Sequence, residues 1–257
     1  MSPYRIWISF ITIVHKEITR FMRIWAQTLL PPAITMSLYY VIFGHVMGRL
    51  ISDFGQYSYI EYIAPGLIMM SVLMNSYNNV VSSFFGSKFG RSLEELIVSP
   101  TPNVIIVLGF VIGGVCRGVL VGLVVTVITL LFTDLHVHHV GLTILIVLMS
   151  SILFALAGFI NAIYARKFDD ITIIPTFILT PLIYLGGIFY SIKLLPPFWQ
   201  EISLFNPILY IINGFRFGML GVSDIAIEHA LYILVVMIVI LFSVCLWLLN
   251  RGIGTRT

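Results

Sequence analysis

Residues 103–133 read NVIIVLGFVIGGVCRGVLVGLVVTVITLLFT, and Arg117 is the only charged residue in this run. As an α-helix rising 1.5 Å per residue, the run would be about 46 Å long. That length exceeds the roughly 30 Å hydrocarbon core of a bilayer, which about 20 apolar residues can cross. The stretch therefore predicts a membrane-spanning helix that extends beyond the core at one end.

The composition of the whole chain agrees with this prediction. Of its 257 residues, 59% are hydrophobic and 10% are charged, and the mean hydropathy is +1.05. A soluble domain carries about 25% charged residues, so lipid must cover much of this chain. We predict an all-α integral membrane protein, formed as a single transmembrane domain over residues 1–257. Its six predicted crossings are 24–48, 60–85, 103–133, 140–165, 171–192 and 229–250.

The lysines and arginines predict the orientation, because cytoplasmic loops are enriched in these residues. Ten of them fall on one side of the six crossings, which is therefore the predicted cytoplasmic side, with both termini inside. They are not interleaved with aromatic residues as a nucleic-acid surface would require. The ten are Arg5, Lys16, Arg20, Arg23, Lys88, Arg91, Arg166, Lys167, Arg251 and Arg256, and the opposite loops hold Arg49, Lys193 and Arg216.

The N-terminal segment, residues 1–23, carries apolar residues at helical spacing. It predicts an amphipathic helix that lies in the inner-leaflet interface and leads into the first span. The alternative is that this segment is only the start of a long first span. The apolar stripe is Tyr4, Trp7, Ile8, Ile11, Val14, Ile18 and Phe21, and Lys16, Glu17 and Arg20 lie off it.

The second cytoplasmic loop, residues 86–100, predicts a short helix. Ser92 and Glu95 have the spacing of a capping box, and Pro100 would end the helix. A short amphipathic helix on a cytosolic loop suits docking to a soluble partner, and a simple solvated turn is the alternative. Its apolar face would hold Leu93, Leu96 and Ile97, and its carboxylates are Glu94 and Glu95.

Arg117 is the costly residue of the third predicted span, because a charge at mid-bilayer costs about 2.5–3.5 kcal/mol on insertion scales. The length of this span allows Arg117 to lie near the inner interface, where it could reach the headgroups or pair with a carboxylate. We assign it a structural and coupling role rather than direct contact with a substrate. The candidate carboxylates are Glu94, Glu95, Asp169 and Asp170.

Two other spans have features of a pathway wall. Span two is polar in its inward half, and such side chains face protein or a water-filled cavity rather than lipid. Hydrogen bonds between helices and a cavity wall both remain open for these residues. Broken helices are tolerated where they line a cavity or pack on protein. The polar residues of span two are Asn75, Ser76, Tyr77, Asn78, Asn79, Ser82 and Ser83, and span five contains Pro175, Pro181, Gly186 and Gly187.

A seventh apolar stretch, from Ile202 to Phe215, has about 14 residues and contains Pro207. It is too short to cross the roughly 30 Å core. Interfacial aromatic residues surround it, including Phe198, Trp199 and Tyr210. We therefore predict a re-entrant hairpin over residues 193–222 that dips into the outer leaflet.

The sequence has no enzyme signature, because it lacks a phosphate-binding loop, an H-E-x-x-H motif and a G-x-S-x-G motif. The glycine pairs 113–114 and 186–187 predict close approach of helices. Cys116 and Cys245 are interpreted as small buried hydrophobes rather than a disulfide. The histidines of the third loop are expected to be solvated, with a metal site as the alternative. They are His136, His138 and His139.

Several segments, taken in order along nearly the whole chain, carry a resemblance to a known family. Together they resemble the ABC-2 type permeases, which are the membrane subunits of ATP-binding-cassette exporters. The matching segments are Arg91-Ser-Leu-Glu-Glu-Leu, Phe168-Asp-Asp-Ile-Thr, Pro175-Thr-Phe-Ile-Leu-Thr-Pro-Leu, Tyr184-Leu-Gly-Gly-Ile-Phe-Tyr-Ser, Leu195-Pro-Pro-Phe-Trp-Gln, Asn206-Pro and Gly214-Phe-Arg-Phe-Gly.

The resemblance implies a homodimeric pathway in the bacterial inner membrane and two separately encoded ATPase subunits at its cytosolic face. ATP and Mg²⁺ would bind those partners, so this chain would hold no cofactor and no catalytic residue. The resemblance also implies that the 86–100 helix couples the two kinds of subunit. The residues expected to contact the ATPase are Arg91, Leu93, Glu94, Glu95 and Leu96.

The resemblance further implies that spans two and five of both copies line a central cavity. A cavity edged with Met, Phe, Tyr and Asn suggests an amphipathic substrate, such as a lipid or a hydrophobic drug. A glycan exporter is the second hypothesis. An ion-coupled transporter is less favoured, because the span interiors lack Asp, Glu and His. The cavity candidates are Asn75, Tyr77, Asn78, Asn79, Thr180 and Tyr184, and the outer-gate candidates are Ile188 and Phe189.

Overall fold

A computed structural model of the chain describes residues 2–47, 57–135 and 137–254, except for the side chains of residues 45–47. Arg49, His136 and Arg256, used above, lie outside these residues. The described part is helical, with π-helical turns at Ile42–Met47 and Pro175–Leu179 and a 3₁₀ turn at Ile192–Leu194. The α-helices are α1 Pro3–Arg23, α2 Trp25–Val41, α3 Tyr59–Phe89, α4 Ser92–Val98, α5 Asn103–Phe132, α6 Val140–Tyr164, α7 Asp170–Ile174, α8 Thr180–Leu185, α9 Pro197–Leu204, α10 Pro207–Leu220 and α11 Ile227–Asn250.

Helix α3 lies at the centre, between α5 and α6, and it is buried along most of its length. Small residues let these helices approach closely, as the sequence predicts for Gly113 and Gly114. A Cβ on Gly114 would lie 2.9 Å from the carbonyl oxygen of Ser76, and one on Gly158 would lie 2.6 Å from that of Tyr77. The backbones of neighbouring helices are therefore in direct contact at these glycines.

Three of the described helices, α5, α6 and α11, are long and apolar enough to cross a membrane. Their ends match the predicted crossings within two residues. Helix α3 is long as well, but the polar side chains of its inward half reduce its hydropathy. The structure therefore supports an all-α membrane protein, and six crossings remain a prediction.

The fifth predicted crossing differs from the structure. The helical stretch ends at Leu185 instead of residue 192, so Asp170–Leu185 is about 24 Å long at 1.5 Å per residue. Gly186 follows the helix, and Gly187 has a φ of +78°, which belongs to a turn rather than to a helix. The prediction that this glycine pair lies within a helix is wrong, although Gly186 does contact Ile208 and Ile212 of α10.

The chain after this turn forms the predicted pair of helices, α9 and α10. Asn206 begins α10, because its side-chain oxygen accepts a hydrogen bond from the Ile208 N–H at 3.0 Å. Its amide nitrogen donates to the Leu182 carbonyl at 2.6 Å and ties the pair to α8. Helix α10 is largely buried against α3, α6 and α11. The depth of this hairpin in the membrane remains a prediction.

The predicted start of α4 is correct in place and wrong in mechanism. Arg91 has a φ of +60° and precedes the helix, so Ser92 is already its first residue. The Ser92 hydroxyl donates to the Ser87 carbonyl at 3.3 Å instead of capping the helix. A capping box occurs at the start of α3, where Ser58 and Glu61 bond reciprocally.

Candidate functional site

A buried polar network joins the N-terminal helix to α3. The Glu17 side chain is 0% exposed, and the Ser83 hydroxyl donates to its Oε1 at 2.6 Å. Arg20 pairs with Glu17 Oε2 at 3.4 Å and donates to Asn79 Oδ1 at 2.8 Å and to the Asn79 carbonyl at 3.0 Å. These bonds supply partners to a charge pair that would otherwise be costly to bury.

The network shows how α1 is oriented. Its polar side faces α3 and α5, while Tyr4, Trp7, Ile8 and Ile11 are exposed. The predicted apolar stripe is therefore divided, because its first half is exposed whereas Phe21 is buried. Contact of the exposed half with lipid remains a prediction. The apolar stripe is evident in the sequence, whereas the buried network is not. The network could have been predicted from the i, i+3 spacing of Glu17 and Arg20, which places two opposite charges off the stripe. The polar half of α3 offers partners for these charges.

A groove of about 440 Å³ lies between α3, α5 and the start of α7. It is mixed in character, since amide, hydroxyl and guanidinium groups alternate with aliphatic side chains. Such a surface suits a ligand that has both apolar and polar parts. The lining residues are Met74, Asn78, Val81, Ser82, Arg117, Ile171, Thr172, Pro175 and Thr176.

The structure separates the four predicted cavity residues of span two. Asn78 lines the groove, and Asn75 is half-buried on the same side of α3 and donates to the Ser71 carbonyl at 3.0 Å. Tyr77 and Asn79 are fully buried between helices. Tyr77 and Asn79 therefore contribute to helix packing, and Asn78 lines the groove. The role of Asn78 in a substrate cavity remains a prediction.

Arg117 lies in the wall of this groove and is only half-buried. The described residues place no carboxylate within ion-pair distance of it, so the predicted pairing with Glu94, Glu95, Asp169 or Asp170 is not observed. Asp170 instead accepts the backbone N–H groups of Arg166 and Lys167 at 2.8 and 3.0 Å. The guanidinium of Arg20 also acts on Arg117 electrostatically. The groove therefore carries positive charge.

The predicted span-five residues lie towards the other end. The Thr180 hydroxyl donates to the Pro175 carbonyl at 2.8 Å, so it completes the π-helical turn rather than facing the groove. Tyr184 is exposed, and its hydroxyl lies 3.3 Å from that of Tyr39. Phe189 stacks on Phe43 with a centroid distance of 4.8 Å. These four aromatic side chains, Tyr39, Phe43, Tyr184 and Phe189, form the outer aromatic cluster.

The two predicted gate residues differ in environment. Ile188 is fully buried, and a Cβ on Gly66 of α3 would lie 2.9 Å from its side chain. Ile188 therefore packs within one copy of the chain and fills no opening there. Phe189 belongs to the outer aromatic cluster and is only partly buried.

The α4 segment is anchored on one face and open on the other. Leu93 is buried, and Leu96 is partly buried against the core. Arg91, Glu94 and Glu95 are exposed. Among the residues expected to contact a partner, the two leucines therefore hold α4 in place, and the three charged residues are accessible.

The end of α3, which precedes α4 in the chain, is bonded to the end of α6. Lys88 donates to the carbonyls of Ile163 and Ala165, both at 2.8 Å, and so joins the ends of α3 and α6. Through α3 the base of α4 is continuous with the helix that carries Asn78.

The remaining candidates lie away from the groove. The rings of His138 and His139 stack at a centroid distance of 4.4 Å. The backbone N–H groups of these two residues donate to the carbonyls of Met219 and Gly218, respectively. Cys116 and Cys245 are free thiols. Within residues 2–47, 57–135 and 137–254, no group of three His, Cys, Asp or Glu residues could hold a metal ion.

Comparison with known proteins assigns the class. The chain belongs to the ABC-2 type transporter family, whose match covers residues 8–220. It is therefore a permease subunit of an ABC transporter, as the resemblance predicted.

Particular relatives narrow this assignment. The chain is 52% identical to the inner membrane transport permease YadH of Escherichia coli strain K12, over 98% of each chain. It is 23% identical to Nodulation protein J of Rhizobium leguminosarum bv. viciae, over 81% of each chain. It is also 22% identical to Nodulation protein J of Neorhizobium galegae, over 95% of this chain and 94% of that relative.

Proposed function

We propose that two copies of this chain form the pathway of an ATP-driven exporter in a bacterial inner membrane, with both termini in the cytoplasm. A separate ABC ATPase, in two copies, binds ATP and Mg²⁺ and supplies the energy. The substrate is amphipathic, a lipid or a hydrophobic drug. The observation that carries this proposal is the groove of mixed character between α3, α5 and α7.

The mechanism follows from the position of α4. Closure of the ATPases on ATP pushes the exposed face of α4, which carries Arg91, Glu94 and Glu95. Because Leu93 anchors α4 to the end of α3, the push moves the helix that carries Asn78. The groove then changes from facing inward to facing outward. The switch requires two discrete arrangements of the helices, which ATP binding favours unequally.

The groove favours an amphipathic substrate for a physical reason. Its aliphatic side chains, such as Met74, Val81 and Ile171, can bind an acyl chain or a hydrophobic ring. Asn78, Ser82 and Arg117 can bind a polar or anionic head. We therefore propose that Arg117, in the groove wall, contacts the substrate in addition to its structural role.

A glycan is the second candidate substrate. The outer aromatic cluster favours it, because aromatic faces can pack against sugar rings. However, this cluster lies towards the outer end, and the groove at the inner end lacks exposed aromatic side chains among its lining residues. We therefore rank the glycan second.

The test is an ATP-hydrolysis assay on the permease purified alone and with its ATPase, in lipid nanodiscs. We expect hydrolysis only when the ATPase is present, and stimulation by lipids or hydrophobic drugs. Replacing Glu94 and Glu95 together by alanine should reduce the stimulated rate about tenfold, which corresponds to about 1.4 kcal/mol. The exposed carboxylates are expected to bond to the ATPase, while Leu93 keeps α4 folded.

The matched control is the double replacement of Glu201 and Glu228, which are exposed on α9 and α11. This control should leave the stimulated rate unchanged. An unchanged rate in the Glu94 and Glu95 variant would remove the coupling assignment. Stimulation by glycans and not by amphipathic compounds would replace the first candidate substrate with the second.

A further inference from the structure

A second cavity, of about 750 Å³, lies where α10 and the loop before α11 meet the start of α3. It lies away from the groove, and nothing in the transport mechanism above uses it. Its polar lining includes Arg216, Lys193 and Asp224, and its apolar lining includes Val222, Ile225 and Ile227. The lining residues are Tyr62, Lys193, Arg216, Phe217, Gly221, Val222, Ser223, Asp224, Ile225, Ala226 and Ile227.

Arg216 is an unusual residue in this wall, because its side chain is buried and incompletely bonded. It is 1% exposed, and its Nη2 donates to the Gly187 carbonyl at 2.6 Å and more weakly to that of Ile188 at 3.4 Å. Its Nε and Nη1 have no hydrogen-bond partner among the described residues. A guanidinium has five N–H donors and no acceptor, so these positions call for an acceptor atom.

The surroundings of Arg216 hold the guanidinium in place. The Tyr62 ring lies 4.1 Å from its central carbon and covers one face. The bonds to the turn after α8 fix its position along α10. The group is therefore preorganised, and a ligand would bind it at little cost in side-chain entropy.

Asp224 acts on the charge of Arg216 but forms no ion pair with it. Its carboxylate accepts the Ser191 hydroxyl at 2.8 Å and the Ile192 N–H at 3.2 Å, and its ion-pair partner is Lys193 at 3.7 Å. Arg216 is not within ion-pair distance of it. The cavity thus holds two cations and one carboxylate that is already bound. The imbalance favours an anion.

We propose that this cavity binds the phosphate of an anionic lipid headgroup, with Arg216 as the buried contact and Lys193 at the mouth. Arginine matches phosphate because its planar donors face several oxygens at once. The Lys193 side chain is 70% exposed, and its ion pair with Asp224 at 3.7 Å holds its ammonium group at the mouth of the cavity. Val222, Ile225 and Ile227 continue the wall towards α11, a helix apolar enough to cross a membrane. This continuity favours a phosphate carried by a lipid.

The experiment measures ligand-induced thermal stabilisation of the purified, delipidated permease in detergent. The probes are phosphatidylglycerol, the zwitterionic phosphatidylcholine, and inorganic phosphate. We expect phosphatidylglycerol to raise the unfolding temperature at concentrations where phosphatidylcholine does not. Equal effects of the two lipids would overturn the proposal. If inorganic phosphate raised the unfolding temperature as much as phosphatidylglycerol does, the assignment of a lipid as the ligand would be wrong.

Variants assign the effect to this cavity. Lys193→Gln, at the exposed mouth, should weaken phosphatidylglycerol binding about threefold to tenfold. Arg216→Lys should weaken it further, and Arg216→Gln should abolish it. The matched control is Arg251→Gln at the far end of α11, where the guanidinium stacks on Trp247; binding should not change. If the Arg216 variants fail to fold, unchanged binding in Lys193→Gln overturns the proposal.

Discussion

Replacing Glu17 by alanine is expected to destabilise the permease by about 3–5 kcal/mol, the range for removing one partner of a buried ion pair. After the replacement, only the Asn79 oxygens still accept hydrogen bonds from the charged Arg20 side chain. The buried Ser83 hydroxyl loses its acceptor. The measurement is thermal unfolding of the detergent-solubilised protein, followed by the loss of monodisperse protein in size-exclusion chromatography.

Two further variants separate the ion pair from simple packing. Glu17→Gln keeps the shape and one acceptor oxygen, so it should lose less stability than Glu17→Ala. The double variant with Arg20→Ala removes both charges. Its loss of stability should be smaller than the sum of the losses in the two single variants. The control is Glu95→Ala, which removes an exposed carboxylate. Equal stability of Glu17→Ala and Glu95→Ala would contradict the network.

Replacing Gly158 by valine is expected to destabilise the protein by about 3 kcal/mol or more, at the upper end of the cost of overpacking. The Cβ would lie 2.6 Å from the Tyr77 carbonyl oxygen and 3.3 Å from its Cα. Both atoms belong to the backbone of α3, so the clash can be relieved only by moving α3 away from α6. These two helices form the most extensive contact between described elements.

Helix α6 itself provides the matched control. Gly141 lies near its beginning, and a Cβ there would meet nothing within 4 Å. Gly141→Val should therefore leave the unfolding temperature nearly unchanged, whereas Gly158→Val should reduce it by several degrees or prevent folding. The same chemical change at two positions separates helix propensity from packing. Equal effects at the two glycines would contradict the close approach of α3 and α6.

The sequence predicts the helices most reliably where lipid contact dominates. Helix α5 is predicted over 103–133 and observed over Asn103–Phe132, because an apolar run with Arg117 as its only charge has one stable environment and one stable backbone there. The break in span five was anticipated from Pro175 and Pro181, but the end of the helix was not. The end depends on the turn at Gly187 and on contacts with α10, which no local pattern specifies.

The faces of α3 were beyond prediction for a different reason. This helix is covered on several sides, so its polar residues are not distributed with a single amphipathic period. Asn78 and Asn79 are neighbours in the chain, yet one lines the groove and the other is bonded to Arg20. Only the positions of α1, α5 and α7 around α3 separate them. In the same way, Glu17 and Arg216 are buried by partners that are distant in the sequence.

The most direct test of the account is the side of the membrane on which α4 lies, because the ATPase can reach only the cytosolic side. Single cysteines are introduced at Ser92 and at Glu228, both exposed, in a background where Cys116 and Cys245 are replaced. A membrane-impermeant maleimide is then applied to spheroplasts. We predict that the cysteine at 228 is labelled at once, and that the cysteine at 92 is labelled only after permeabilisation. Labelling of residue 92 in sealed spheroplasts would contradict both the topology and the coupling to an ATPase.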